Sequence, residues 1–172
     1  EFQWAEMHPQ LQLFCAIASA EGVRQKIAGF TAADAESSLI KVCDLDLEQV
    51  PAAARDAIRT LQATAWANLL RWQIEQGTDA ARDRGIANFS DFKGRAKDSK
   101  DFALSNGKLD GERAAAIAQI HILAGRLYRA KGDNSTAASL FAEVKGSPSN
   151  PLSGLAGAWI GGGAHPQVPT PW

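Results

Sequence analysis

The stretch that decides the fold is HILAGRLYRAKGD, residues 121–133. Apolar residues recur through it at helical spacing and on more than one face, which predicts a helix covered from two sides. Gly132 and Asp133 suit a helix C-cap and the next N-cap. The run that follows has apolar residues at i, i+3, i+4 and i+7, namely Ala137, Leu140, Phe141 and Val144. So short a turn predicts an antiparallel helical hairpin, which we place at residues 112–146.

Small and aromatic residues alternate in this hairpin. Gly125 and Ala137 allow the two backbones to approach, and Tyr128 and Phe141 fill the wider ends. The pattern resembles a tetratricopeptide repeat, W-x2-L-G-x2-Y followed by A-x3-F and P. The matching positions are Gly125, Tyr128, Ala137, Phe141 and Pro148, with His121 and Ala124 in place of the Trp and the Leu.

The resemblance covers residues 118–151, and a weaker copy lies at 63–96. It implies a TPR-like, right-handed array of antiparallel helical hairpins with about six or seven helices. Composition points to the same fold class. The chain has 172 residues, 45% of them hydrophobic, and strand-type alternation is nearly absent. We therefore predict an all-α protein.

The chain divides into a lead-in, one helical domain and a tail. Residues 1–9 form the lead-in, where Glu1-Phe2 is typical of a restriction-site scar and the native start is Met7 or lies upstream. A single all-helical domain is predicted for 10–160, ending in a capping helix at 151–160. The Gly- and Pro-rich residues 161–172 predict an extended tail.

Four further helices are predicted before the hairpin. The first helix covers residues 10–28, and Thr31 starts the second with a capping-box-like pattern. The longest helix is predicted at 51–76, as the spine of the domain. Residues 78–101 mix aromatic residues with many charges and two glycines, which favours a mobile or partly exposed helix. A loop is expected at 102–111.

Charge and hydropathy exclude several partner classes. The formal net charge is −1 and the pI is about 6.4, with acidic residues interleaved among the basic ones, so no nucleic-acid partner is expected. The apolar run Leu11–Ala20 is about half the roughly 20 residues that a membrane span requires. We interpret this run as a structural helix, with a signal-peptide core as the alternative. A cytoplasmic location is slightly favoured, and export stays open.

No catalytic, cofactor or metal site is predicted. The three histidines lie in separate segments without a Cys, Asp or Glu at i+3 or i+4, so we interpret His121 as a packed core residue. Cys15 and Cys43 lack a CxxC spacing, which favours reduced thiols over a disulfide. Residues 44–48 lack the glycine and distal glutamate of a calcium loop. Phosphate-binding loops and nucleophile elbows are also missing from the sequence.

Contact with a partner is therefore favoured over catalysis. The leading hypothesis is a non-catalytic helical-repeat scaffold that binds a protein or peptide partner on a concave face formed by the first helices of its hairpins. The candidate partner-binding residues are Arg113, Gln119, Arg126, Lys131 and Trp172. The first alternative is a structural subunit of a larger assembly, or a homo-oligomer, with the tail as a connecting arm. The second is an enzyme whose site assembles only in three dimensions.

Overall fold

The computed structural model describes residues 8–48, 50–104, 111–147 and 152–160, the side chains of 158 and 159 excepted. In these ranges the chain forms helices and no strand, so the all-α prediction is confirmed. The helices are α1 Pro9–Arg24, α2 Ala32–Cys43, α3 Arg55–Glu75, α4 Asp79–Asp98, α5 Gly111–Ala130, α6 Asn134–Lys145 and α7 Ser153–Ile160. Short 3-10 turns precede α3 at Ala52–Ala54 and follow α4 at Lys100–Phe102. Residues 1–7 of the lead-in predicted at 1–9, residues 148–151 and the predicted tail at 161–172 lie outside the described residues. α1 begins at Pro9, inside the predicted lead-in.

Local capping signals set several helix boundaries where the sequence predicts them. The Thr31 hydroxyl accepts a hydrogen bond from the Asp34 N–H at 3.2 Å. The Asp133 carboxylate accepts one from the Thr136 N–H at 2.9 Å, and the preceding Gly132 has a φ of 86°. These groups satisfy backbone donors at the helix start and allow the left-handed turn before it.

α1 ends four residues before its predicted end at residue 28. Lys26 and Gly29 adopt φ angles of 56° and 94°, which no helix continues through. Phe30 then folds back against Gly22, where its ring occupies the space that a Cβ would need. The turn into α2 therefore depends on the absence of a side chain at Gly22.

The helices α1, α3 and α5 run parallel to one another. Arg24 contacts Glu75, which places the C-terminal ends of α1 and α3 side by side. Arg113 contacts Asp56, which does the same for the N-terminal ends of α5 and α3. Because short connections also make each even-numbered helix antiparallel to the helix before it, the chain forms hairpins α1–α2, α3–α4 and α5–α6 in one orientation.

The hairpins stack through α3 and α5. α3 packs against α1, α2, α4 and α5, and α5 packs against α3, α4 and α6, with α7 on α6. Every residue from 65 to 70 and from 116 to 125 is buried, so these two helices form the interior of the molecule. This is the contact pattern expected of stacked hairpins. Membership of the tetratricopeptide family and the handedness of the array stay predictions.

α4 contributes more to the core than its composition suggests. Nine of its 20 residues are charged, yet Phe89 and Phe92 are each only 1% exposed. Gly85 is one of the two glycines that lower the helix propensity of this segment. It lets Leu127 of α5 approach so closely that a Cβ would lie 2.7 Å from the Leu127 Cδ1. The segment is a helix, as predicted, with its charged side chains outward and its aromatic face in the core.

Candidate partner-binding surface

The four partner-binding candidates on α5 do not share one surface. At about 100° per residue, Arg113 and Lys131 lie on one side of the helix, and Gln119 and Arg126 lie on the other. Arg113 and Gln119 are each only 5% exposed. Lys131 is exposed and forms an ion pair with Asp83 at 2.9 Å. The fifth candidate, Trp172, lies outside the described residues.

Arg113 has a structural role. Its guanidinium lies 3.4 Å from the Asp56 carboxylate and links α5 to α3. Gln119 is also buried, on the opposite side of α5. A partner that docks on the folded chain therefore meets Arg126 and Lys131, and not the other two.

Arg126 belongs to a group of three arginines that no spacing in the sequence indicates. Arg24, Arg71 and Arg126 come from α1, α3 and α5, and each lies near the C-terminal end of its helix. We call them the arginine cluster. Arg71 is close enough to the other two, and to Glu75, for their charges to shift its pKa. Glu75 follows Arg71 by four residues, so both occupy the same side of α3.

Hydrogen bonds hold Arg24 in place within the cluster. Its Nε donates to Glu75 at 2.8 Å, and its Nη1 donates to Glu21 at 3.0 Å. Burial alone would lower the pKa of Arg24, but these two carboxylates outweigh it and raise the pKa. The guanidinium therefore stays charged and fixed at the edge of α3.

Arg71 and Arg126 are half-buried, and this changes their electrostatics. Burial lowers the pKa of Arg71, with Glu75 opposing the shift and the neighbouring arginines adding to it. Burial also lowers the pKa of Arg126, again against Glu75. Three guanidinium groups thus converge on Glu75, with Glu21 beside Arg24. Charges that are partly removed from water interact more strongly with an incoming ion than fully solvated ones.

A buried donor lies next to the cluster. Trp72 is 4% exposed, and the guanidinium of Arg24 lies 5.7 Å from the centroid of its ring. Its indole Nε1–H has no hydrogen-bond partner within the described part of the chain. The contact with Arg24 is therefore made by the ring of Trp72, and the N–H itself is enclosed.

A second group of polar residues lies between α2, α3 and α4, and its members bond to one another. Glu36 accepts hydrogen bonds from Arg84 at 2.9 and 3.0 Å and from Gln73 at 2.8 Å. Burial would raise the pKa of Glu36, but these hydrogen bonds lower it. An open groove of about 640 Å³ borders this group and is lined by Ile40 and Lys41 as well. We assign Glu36 and Arg84 to the linkage between the first two hairpins.

His121 is a core residue, as predicted. Its ring lies 5.6 and 6.2 Å from the rings of Phe89 and Phe92, nearly perpendicular to both. Nδ1 donates to the Ile117 carbonyl at 2.9 Å, and Nε2 lies 3.4 Å from the Glu143 carboxylate. Burial lowers the pKa of His121 in spite of these two neighbours. The neutral ring therefore packs in the core between α4 and α5.

The two cysteines are not paired with each other, and the acidic residues that follow α2 are held by local contacts. Cys15 and Cys43 are free thiols, and burial raises the pKa of Cys43 well above its ordinary value. Asp44 pairs with Arg95, and the Asp46 carboxylate accepts the Glu48 N–H at 2.8 Å. Among the described residues, no three His, Cys, Asp or Glu side chains are grouped as metal ligands. None of the described helices is long and apolar enough to cross a membrane.

The sequence contains a pattern that indicates Arg71 of the arginine cluster. Arg71 and Glu75 are four residues apart near the end of the helix predicted at 51–76, so both lie on one side of it. A polar pair on an otherwise apolar helix indicates a side turned away from the core. The apolar stripe of the same helix does not reveal it.

Comparison with family models, with curated proteins and with solved structures finds no match to this chain.

Proposed function

We propose that this chain is a non-catalytic helical scaffold that binds a protein or peptide partner on the face formed by α1, α3 and α5. An acidic segment of the partner engages the arginine cluster. The observation that carries this proposal is the convergence of Arg24, Arg71 and Arg126 from three successive parallel helices.

The chemistry of the cluster supports an anionic partner group. Guanidinium groups present several N–H donors in a fixed plane and pair well with carboxylates. Arg24 is already oriented by Glu75 and Glu21, so less conformational entropy is lost when it binds. Lys131 pairs with Asp83 and lies on the side of α5 opposite Arg126, so it does not belong to the cluster.

Binding of model peptides tests the charge preference directly. A fluorescently labelled octaglutamate peptide should bind the wild-type protein, and an octaglutamine peptide should bind far more weakly. The double variant Arg71→Gln/Arg126→Gln should lose at least about tenfold in affinity for octaglutamate. Arg82→Gln is the matched control, because Arg82 pairs with Asp79 on the exposed side of α4. Equal binding by the double variant and the control contradicts the proposal.

Capture from the native lysate, followed by mass spectrometry, extends the test to the natural partner. Proteins recovered by the wild type and by Arg82→Gln, but not by the Arg71→Gln/Arg126→Gln variant, are the expected result. Alanine at Arg113 or Gln119 is unsuitable here, because both side chains are buried and their loss would lower stability. Melting temperatures of all variants should be compared before binding is interpreted.

A further inference from the structure

Glu75 lies at the point where the three guanidinium groups of the arginine cluster converge. Arg24 contacts one oxygen of its carboxylate, Oε2, through two nitrogens, with Nε at 2.8 Å and Nη2 at 2.7 Å. Arg71 precedes Glu75 by about one turn of α3 and lies on the same side of that helix. The charge of Glu75 opposes the lowering of the pKa of Arg71 and of Arg126 by burial, so both groups lie within its electrostatic range. The cluster therefore already contains a carboxylate.

A partner's carboxylate would need the same N–H donors. Carboxylates pair with a guanidinium group along its edge, and Glu75 occupies the Nε/Nη2 edge of Arg24. A second carboxylate at this place would also lie close to the first, and like charges that are partly removed from water repel strongly. Glu75 and an acidic side chain of a partner therefore compete for one position.

Glu75 can leave this position without disordering Arg24. Its side chain is 39% exposed, so rotation about its own bonds returns the carboxylate to water. Arg24 keeps its hydrogen bond to Glu21 at 3.0 Å and its place over the Trp72 ring. Glu21 is fixed in turn by Gln25, whose Nε2 donates to it at 2.8 Å. Departure of Glu75 therefore opens donors of Arg24 and leaves this guanidinium in place.

We propose that the Glu75 carboxylate is an internal substitute for the partner's carboxylate, and that an acidic segment binds the arginine cluster by displacing it. This inference rests on the proposed function and specifies how the same site is regulated. In the free protein, Glu75 neutralises part of the charge of the cluster and lowers its affinity for anions. In the complex, side chains of the partner take its place on Arg24 and add further negative charge beside Arg71 and Arg126.

Binding of octaglutamate by a charge-neutral variant tests the competition. Glu75→Gln keeps the size of the side chain and an oxygen for Arg24 but removes the charge. It should lower the dissociation constant for octaglutamate at least about fivefold, because the peptide no longer competes with a carboxylate. Unchanged or weaker binding by Glu75→Gln overturns the proposal.

Glu21→Gln is the matched control. It changes the net charge by the same amount, it alters a contact to the same Arg24, and the two glutamate side chains have similar exposure, 50% and 39%. Because Glu21 stays in place when the partner binds, this variant should change the dissociation constant by less than about twofold. Equal gains in both variants would show an effect of net charge alone and overturn the displacement.

A double-mutant cycle locates the effect. In the Arg71→Gln/Arg126→Gln background, further substitution of Glu75→Gln should change the dissociation constant by less than about twofold, because the gain requires the complete cluster. A gain as large as in the wild-type background would place the competition elsewhere and overturn the proposal.

NMR of the wild-type protein observes the displacement without any substitution. With glutamate labelled with 13C at the side-chain carboxyl, the Glu75 signal should move on addition of octaglutamate towards the position of a solvated glutamate. The Glu21 signal should stay where it is. An unmoved Glu75 signal in protein saturated with octaglutamate overturns the proposal.

The outcomes separate this inference from the scaffold function. If the wild type binds octaglutamate far better than octaglutamine, but Glu75→Gln shows no gain over Glu21→Gln, only the displacement is wrong. If neither the wild type nor Glu75→Gln binds octaglutamate, the arginine cluster has no acidic partner and both proposals are overturned.

Discussion

The burial of residues in α1 and in α4 differs from what the compositions of the two helices suggest. α1 has no charged residue over its first 12 positions, yet it exposes Leu11 and Phe14. α4 is charged at nine of its 20 positions, yet it encloses Phe89 and Phe92 completely. The difference arises from position. α4 packs against α3 and α5, whereas α1 packs against α2 and α3 and has a free side beyond them.

This comparison shows that the composition of a helix does not decide its burial, because α1 and α4 each pack against two other helices. The position of the apolar residues around the helix decides it. In α4 the aromatic residues lie on the packed side and the charged residues point away from it. In α1 Leu11 and Phe14 lie on the side away from α2 and α3.

The largest expected effect compares one phenylalanine from each helix. Phe92→Ala should lower the free energy of unfolding by about 3–5 kcal/mol, because it leaves a cavity beside Trp66, Phe89 and Phe102. Phe14→Ala should change it by less than about 0.5 kcal/mol. Chemical denaturation measures both. Similar losses for the two variants would show that α1 is packed as closely as α4.

A second test uses two glycines of α4. Gly85→Ala should lower the free energy of unfolding by about 1 kcal/mol, because the methyl group would displace Leu127. Gly94→Ala should raise it by about 0.5–1 kcal/mol, because nothing lies within 4 Å and alanine favours the helix. Thermal unfolding of both variants checks these opposite signs. Stabilisation by Gly85→Ala would mean that α4 and α5 are less closely packed than described.

A smaller effect concerns the histidine that α4 helps to bury. The folded-state pKa of His121 is lowered by burial, whereas the unfolded chain has the ordinary value of about 6.5. The unfolded state therefore binds a proton more readily, and the free energy of unfolding should fall as the pH drops from 7.5 to 5.5. His121→Gln should flatten this dependence, and His8→Gln at the exposed start of α1 should retain it. The same slope in all three proteins would rule out His121 as its source.

The smallest effect is expected from the charges on the outer face of α4. Arg82→Ala removes the ion pair with Asp79, which is largely solvated, and should leave the melting temperature unchanged within error. Salt titration of the wild type provides the companion measurement. A clear loss of stability would mean that the charged face of α4, as well as its aromatic face, supports the fold.

Sequence reasoning recovers what depends on neighbours along the chain. The caps at Thr31 and Asp133, the turn at Gly132 and the close approach at Gly125 all follow from short spacings, and the ring of Phe141 does pack where a Cβ of Gly125 would lie. These features involve the backbone or the next helix, so their energetics are encoded locally.

Contacts between distant helices are not recovered. Arg113 is polar and lies on the first helix of the predicted hairpin, so the sequence suggests a surface residue. Its partner, Asp56, is 57 positions away in the sequence. The arginine cluster likewise combines residues 24, 71 and 126, which no local spacing connects. Only the parallel arrangement of α1, α3 and α5 brings them together.

The parallel arrangement also makes the electrostatic field differ between two edges of the molecule. Each α-helix carries a partial negative charge at its C-terminal end, from carbonyl groups without partners. α1, α3 and α5 direct these ends towards the same edge, where the fields of three dipoles add. The arginine cluster lies at that edge and offsets the field, which favours the close spacing of three like charges. Without these arginines the same edge would disfavour an anion, so their replacement should reverse the charge preference of this edge as well as weaken binding there.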